Sequence, residues 1–121
     1  MILVDTSVWV DHLRRPNAPL VAWLELGEVS CHPFVVGEIG LGSLKHRARV
    51  LSLLAELPMA RTVRHEDAMA LVQERALSGV GLGWVDVHLL ASAFVEGWGL
   101  WTIDRQLHRV ADRLGIAHES A

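Results

Sequence analysis

Four carboxylates stand in the sequence where carboxylates are costly. Asp5 follows the apolar run Met-Ile-Leu-Val, Glu38 sits in Phe-Val-Val-Gly-Glu-Ile-Gly-Leu, Asp86 in Gly-Trp-Val-Asp-Val-His-Leu-Leu, and Asp104 follows Leu-Trp-Thr-Ile. An ionised carboxylate in apolar surroundings is expensive unless it is paired or holds a metal. The chain offers few partners, since Lys45 is its only lysine and no arginine adjoins Asp5, Glu38 or Asp86. Acids that converge without basic partners need a cation, and an all-oxygen donor set suits Mg²⁺ or Mn²⁺. Each acid alone also has a structural reading. Asp5 and Asp104 suit helix N-caps. Asp86 suits a helix's first turn, where the dipole favours negative charge. Glu38, among apolar residues and glycines, is the hardest of the four to explain as structure.

Whether the acids meet depends on the elements that carry them. The apolar run 1–4 predicts a buried strand, and further short strands are expected over 29–31, 59–63 and 100–103, with a short fifth at 115–117. Helical periodicity and capping signals predict helices over 8–14, 18–26, 34–44, 47–57, 65–77, 84–95 and 105–114. Strands alternating with helices make an α/β fold, with a parallel sheet of four to five strands covered on both faces. Asp5 and Asp104 then fall at the carboxyl ends of parallel strands, the edge that carries the ligand crevice in open α/β sheets. Helix N-termini point to that same edge. Asp86 lies in a first turn and Glu38 about one turn into its helix, so all four can converge there.

Composition sets the frame. With 121 residues, 51% of them hydrophobic and 21% charged, the chain has the material for one domain with a real core, expected over 1–121. That excludes a disordered tail or a low-complexity linker. One cysteine, Cys31, excludes an internal disulfide and a cysteine-rich zinc cage. The first ten residues have no basic region and reach an acid at Asp5, unlike a signal peptide, and no apolar run has the ~20 residues of a membrane helix. The expectation is a soluble cytoplasmic domain away from membranes. The net charge of −3 argues against a nucleic-acid partner at first sight. Without the four acids singled out above, the balance is 11 − 10 = +1, so the sign decides nothing until those acids are placed.

The four segments together resemble the PIN-domain nuclease family, in particular the VapC-type ribonuclease toxins of toxin–antitoxin pairs. The opening Val-Asp5-Thr-Ser-Val-Trp-Val-Asp11 resembles the family's first strand and first acid. Val36-Gly-Glu38-Ile-Gly-Leu-Gly42 is similar to the segment with its glutamate. Trp84-Val-Asp86-Val-His-Leu-Leu-Ala-Ser-Ala93 is similar to the helix of its third acid, and Thr102-Ile-Asp104 to its Thr-x-Asp segment. The resemblance implies a three-layer α/β/α sandwich with Asp5, Glu38, Asp86 and Asp104 in a central cleft. It implies Mg²⁺ or Mn²⁺ and hydrolysis of RNA phosphodiester bonds, with Asp5 and Asp86 as principal ligands and Glu38 and Asp104 as ligands directly or through water. Ser7 and Thr102 are expected to orient a ligand or a water. The resemblance also implies a homodimer and a VapB-type antitoxin that lays a tail over the cleft. Some members carry a further acid just after the fourth, whereas residues 105–107 here are Arg, Gln and Leu.

Among the basic residues, Arg105 follows Asp104 directly and is the best candidate for a phosphate contact, while Lys45 and Arg47 could track an RNA backbone. The seven histidines show no ligand spacing, and the five tryptophans, by their apolar neighbours, are expected in the core. The glycine-rich 78–83 lacks the ending of a phosphate-binding P-loop. Two other functions compete. One is a PIN fold that binds RNA or a protein without cutting. The other is a receiver-like phospho-acceptor domain, which needs paired acids after the first strand and a late lysine that this chain lacks.

Overall fold

A computed structural model describes residues 1–119; the last two positions of the domain expected over 1–121 lie outside the described residues. The chain runs β1 (Ile2–Val4), α1 (Thr6–Arg14), α2 (Ala18–Glu25), β2 (Val29–Ser30), α3 (Pro33–Leu41), α4 (Arg47–Ala55), α5 (His65–Glu74), α6 (Trp84–Glu96), β3 (Gly99–Trp101) and α7 (Arg105–Arg113). The three strands form a parallel sheet of order β2-β1-β3, with Leu3 opposite Ser30 on one side and Leu100 on the other. Every residue of β1 is buried, so the central strand is covered on both faces, as the uninterrupted Ile-Leu-Val run requires.

The expected strands at 59–63 and 115–117 are reduced to single parallel bridges. Cys31 pairs with Met59, and Leu100 pairs with Ala117. The sheet proper therefore has three strands where four to five were expected, although both bridges extend it in the anticipated direction. The reason is local. Pro58 ends the approach on one side, and Gly115, at φ +75°, turns the chain sharply out of α7 on the other.

The helices follow their signals. Asn17 caps α2 by accepting from the Leu20 N–H at 3.0 Å, with a proline in the first turn. α6 is the core helix, buried without a break from Val87 to Ala93. Gly97 ends it at φ +73°, in the left-handed conformation favoured at a helix C-terminus. Among the described residues no helix is long and apolar enough to cross a membrane.

Candidate active site

β1 sits between strands reached by different crossovers, so the crevice opens beyond its carboxyl end. Asp5 is the first residue past that end and caps α1. It is buried, and its Oδ2 accepts the Ser7 hydroxyl at 2.6 Å and the Thr102 hydroxyl at 2.8 Å, with the Ser7 N–H at 3.4 Å. Thr102, the first residue past β3, also accepts the Asp104 N–H at 3.0 Å, and Ser7 Oγ accepts the Ile103 N–H at 3.2 Å. Two strand ends are thereby tied through two hydroxyls. The expected supporting role of Ser7 and Thr102 has a clear geometry: both hold the Asp5 carboxylate in one orientation.

The other acids are fixed by their own elements. Asp104 caps α7 through Oδ1, which accepts the Leu107 N–H at 2.9 Å. Asp86 Oδ2 accepts the Gly83 N–H at 2.9 Å, so the third residue of α6 reaches back to the helix cap. Glu38 accepts the Thr6 hydroxyl at 2.6 Å, which links α3 to the start of α1. One pattern covers all four. Each carboxylate commits a single oxygen to these bonds, and among the described residues its second oxygen has no hydrogen-bond partner.

The other three acids all act on the charge of Asp86. Burial raises the Asp86 carboxyl above its usual range, the Gly83 amide opposes that, and the charges of Asp5, Asp104 and Glu38 each raise it further. Among the described residues none of the four forms an ion pair. This donor set fits a hard divalent cation: oxygen only, oriented by neighbours, and short of positive charge. The described residues contain no ready-made cage of three or more ligands. A Mg²⁺ type of site does not need one, because that ion keeps several waters and takes one or two carboxylates along with substrate phosphate.

The basic candidates lie at two margins. Arg105 is exposed and lines a groove of about 490 Å³ that starts at Thr102 and runs past His108 and Arg109. Lys45 lines a groove of about 720 Å³ together with Glu38, Arg14 and Arg49. Arg47 is not free in the same way. Its Nε donates to the Gly40 carbonyl at 2.9 Å and holds α4 against the C-terminal end of α3.

Residues 2–113 match the sequence model of the PIN domain family. The chain belongs to the PIN-domain family. It is 49% identical over 118 residues to Ribonuclease VapC32 of Mycobacterium tuberculosis, covering 97% of this chain and 95% of that protein. Two solved structures share the fold. PAE2754 from Pyrobaculum aerophilum has a TM-score of 0.64 at 20% identity, covering 94% of this chain and 88% of that one. FitAcB from Neisseria gonorrhoeae has a TM-score of 0.60 at 24% identity, covering 93% and 94%. The PIN-domain fold replaces the receiver-like alternative.

Three contributors escaped the sequence reading. Thr6, given no functional role from the sequence, is the partner of Glu38. His32 is fully buried, and burial, with the nearby His88, lowers its pKa to about 4, so it is neutral. Its Nδ1 accepts the Phe34 N–H at 2.9 Å, which leaves Nε2 protonated and 3.1 Å from the Ser92 hydroxyl; that hydroxyl donates to the Arg61 carbonyl at 2.7 Å. This relay joins α3, which carries Glu38, to α6, which carries Asp86. A histidine just before a proline-led helix was the available signal. The third is Trp84. Trp9 and Trp101 are buried, as expected for core, but Trp84 is 41% exposed. Cys31 is buried, and its thiol is pushed up to about 11 by burial, which makes it an inert core residue.

Proposed function

We propose that this PIN-domain protein is a VapC-type endoribonuclease toxin that hydrolyses RNA phosphodiester bonds with Mg²⁺ or Mn²⁺ and is held in check by a VapB-type antitoxin. The observation that carries this reading is a set of four carboxylates, three of which act on the charge of the fourth and none of which, among the described residues, pairs with a basic side chain, on a chain 49% identical to a protein named as a ribonuclease. Asp5 and Asp86 would hold the ion, with Glu38 and Asp104 as ligands directly or through water. A divalent ion so held acidifies water and neutralises charge on a scissile phosphate.

The chain's own residues do the positioning. Ser7 and Thr102 keep Asp5 in one rotamer, so its free Oδ1 has a defined direction. Gly83 anchors one oxygen of Asp86, and Thr6 one oxygen of Glu38. Arg105 and Lys45, which line two separate grooves, are suited to RNA phosphates. The groove of about 720 Å³ beside Glu38 has Val10, Leu13, Val50 and Leu53 along one part and Arg14, Lys45 and Arg49 along another. It is a suitable seat for the antitoxin's tail, and an arginine on that tail would pair with the acids. A cytoplasmic homodimer completes the reading.

The deciding experiment is RNA cleavage by wild type and Asp5→Asn with Mg²⁺, with Mn²⁺ and with EDTA. Metal-dependent cutting by wild type alone is expected. Equal cutting by both proteins would mean a contaminant. A wild type that binds RNA and leaves it uncut under all conditions would make the protein a non-catalytic PIN fold.

A further inference from the structure

We propose that Trp84 is a stacking platform for an unpaired RNA base next to the phosphate engaged at the acids, a proposal that rests on the ribonuclease reading above. Trp84 opens α6, the helix whose first turn also holds Asp86. It is 41% exposed, while Trp9 and Trp101 are 5% and 3% exposed, so this indole is not core.

The ring is held firmly. His88 meets it edge-on, with centroids 4.9 Å apart and planes at 85°, and His65 lies against it at 5.2 Å and 52°. His88 in turn meets Phe34 at 5.0 Å, and Phe34 meets the fully buried His32 at 5.0 Å. A ladder of rings thus runs from the core to the surface and fixes the indole before any ligand arrives. A platform already ordered loses little entropy on binding.

Beside the ring is a groove of about 210 Å³, walled by Val72, Leu82 and Val87 and rimmed by the glycine-rich 78–83 loop, with no charged side chain in its lining. Gln106 ties that loop to α7 by donating to the Val80 carbonyl. A shallow groove of about 210 Å³ with no charged side chain in its lining and an exposed indole at its edge suits one flat ring system. Any base can stack there, because every base has a π face. Trp84 and Asp86 are two residues apart, about 3 Å along the helix axis and on opposite sides of it. A strand crossing the N-terminal end of α6 therefore passes the acid and then the indole, with the base one or two nucleotides from the phosphate.

The test is fluorescence anisotropy of nine-nucleotide single-stranded RNAs of randomised sequence, intact or with one abasic ribose walked along the strand. It is run with Ca²⁺ in place of Mg²⁺, so that the acids hold a cation as the RNA phosphate arrives, against wild type, Trp84→Phe and Trp84→Ala. On wild type, one abasic position should weaken binding about tenfold. Trp84→Ala should weaken the intact RNA by a similar factor and be indifferent to that position, while Trp84→Phe keeps most of the affinity. If Trp84→Ala binds every RNA as wild type does while wild type cuts RNA normally, stacking is wrong and the ribonuclease reading survives. A loss of self-association by sedimentation, with RNA binding unchanged, would make Trp84 a contact between copies and overturn the proposal. A wild type that neither binds nor cuts RNA removes both readings. Should Trp84→Ala fail to fold, the abasic walk on wild type alone decides, and a flat walk rejects stacking.

Discussion

The two sides of the acid cleft are built differently. On the sheet side, Asp5 and Asp104 stand at strand ends cross-tied through Ser7 and Thr102, and Asp5 and Thr102 are both buried. On the helix side, Glu38 and Asp86 each have one anchoring bond, and Glu38 is exposed. Asp5 and the two strand ends have fixed geometry before any ligand binds, and the exposed Asp104 carboxylate has the Leu107 N–H as its one anchor. On the helix side Glu38 can adjust, because a solvated carboxylate with one anchor moves at little cost, whereas Asp86 is half-buried. A cleft with one rigid and one adjustable wall can hold an ion in a set place and still close on strands of different shape.

The largest effect expected is on the rigid wall. Asp5→Asn keeps the shape and an oxygen that can accept the two hydroxyls, but it removes the charge. Cleavage should fall by roughly 10³-fold or more, beyond the ~10²–10³ lost with a single transition-state hydrogen bond. The unfolding temperature should stay within a few degrees of wild type. Cleavage rates measured beside a melting curve check both parts. Activity within tenfold of wild type would mean that the sheet side is scaffold and the chemistry lies elsewhere.

Thr102→Val comes next. It removes a buried hydroxyl that serves Asp5 and the Asp104 N–H together. Cleavage should drop about 10–100-fold, as for outer partners of metal ligands. Stability should fall by about 1–3 kcal/mol, because the Asp104 amide loses its acceptor. Thr6→Val is the matched change on the other wall. Glu38 is exposed, so water replaces the hydroxyl, and the loss should be only about two- to tenfold. Steady-state kinetics on one RNA rank the two variants. Equal losses would erase the distinction between the walls.

The same contrast explains what the sequence revealed. The rigid wall was legible because strand-end acids leave a local trace: an apolar run, then Asp5, and again Leu-Trp-Thr-Ile before Asp104. Asp86 was legible from its place after the glycine-rich stretch, and Glu38 from the lack of any structural use for it. The partners were less visible, because they are set by tertiary placement. Thr6 faces Glu38 across 32 residues, and His32 meets Ser92 across 60. No periodicity encodes such pairs. The outer strands were overestimated for a related reason, since short segments such as 59–63 and 115–117 are compatible with a strand but do not supply a continuous neighbour to pair with. Trp84 was misread as core because its sequence neighbours are apolar, yet a helix's first residue lies at the rim of the layer.

The smallest effect tests whether burial and the neighbouring acids together disfavour the charge on Asp86. The Asp86 carboxyl has a folded-state pKa raised above 3.8, first by burial and then by the charges of Asp5, Asp104 and Glu38, against the Gly83 amide. A raised carboxylate means that the folded protein binds more protons than the unfolded chain over a window that opens near 3.8. Stability then falls as pH rises through that window, and the loss is complete above the folded pKa. Asp86→Asn carries no such loss and keeps an oxygen for the Gly83 N–H. In EDTA its unfolding temperature should match wild type at the acid end and exceed it increasingly as pH rises, with a plateau near neutrality. Mg²⁺ should reverse the order. An ion bound only to the folded wild type adds about 2.7 kcal/mol at a hundred times its Kd, while Asp86→Asn, short of a principal ligand, gains much less. A difference that is flat with pH would mean the four acids do not share one field, and the cleft would then lack the electrostatic reason to hold a cation.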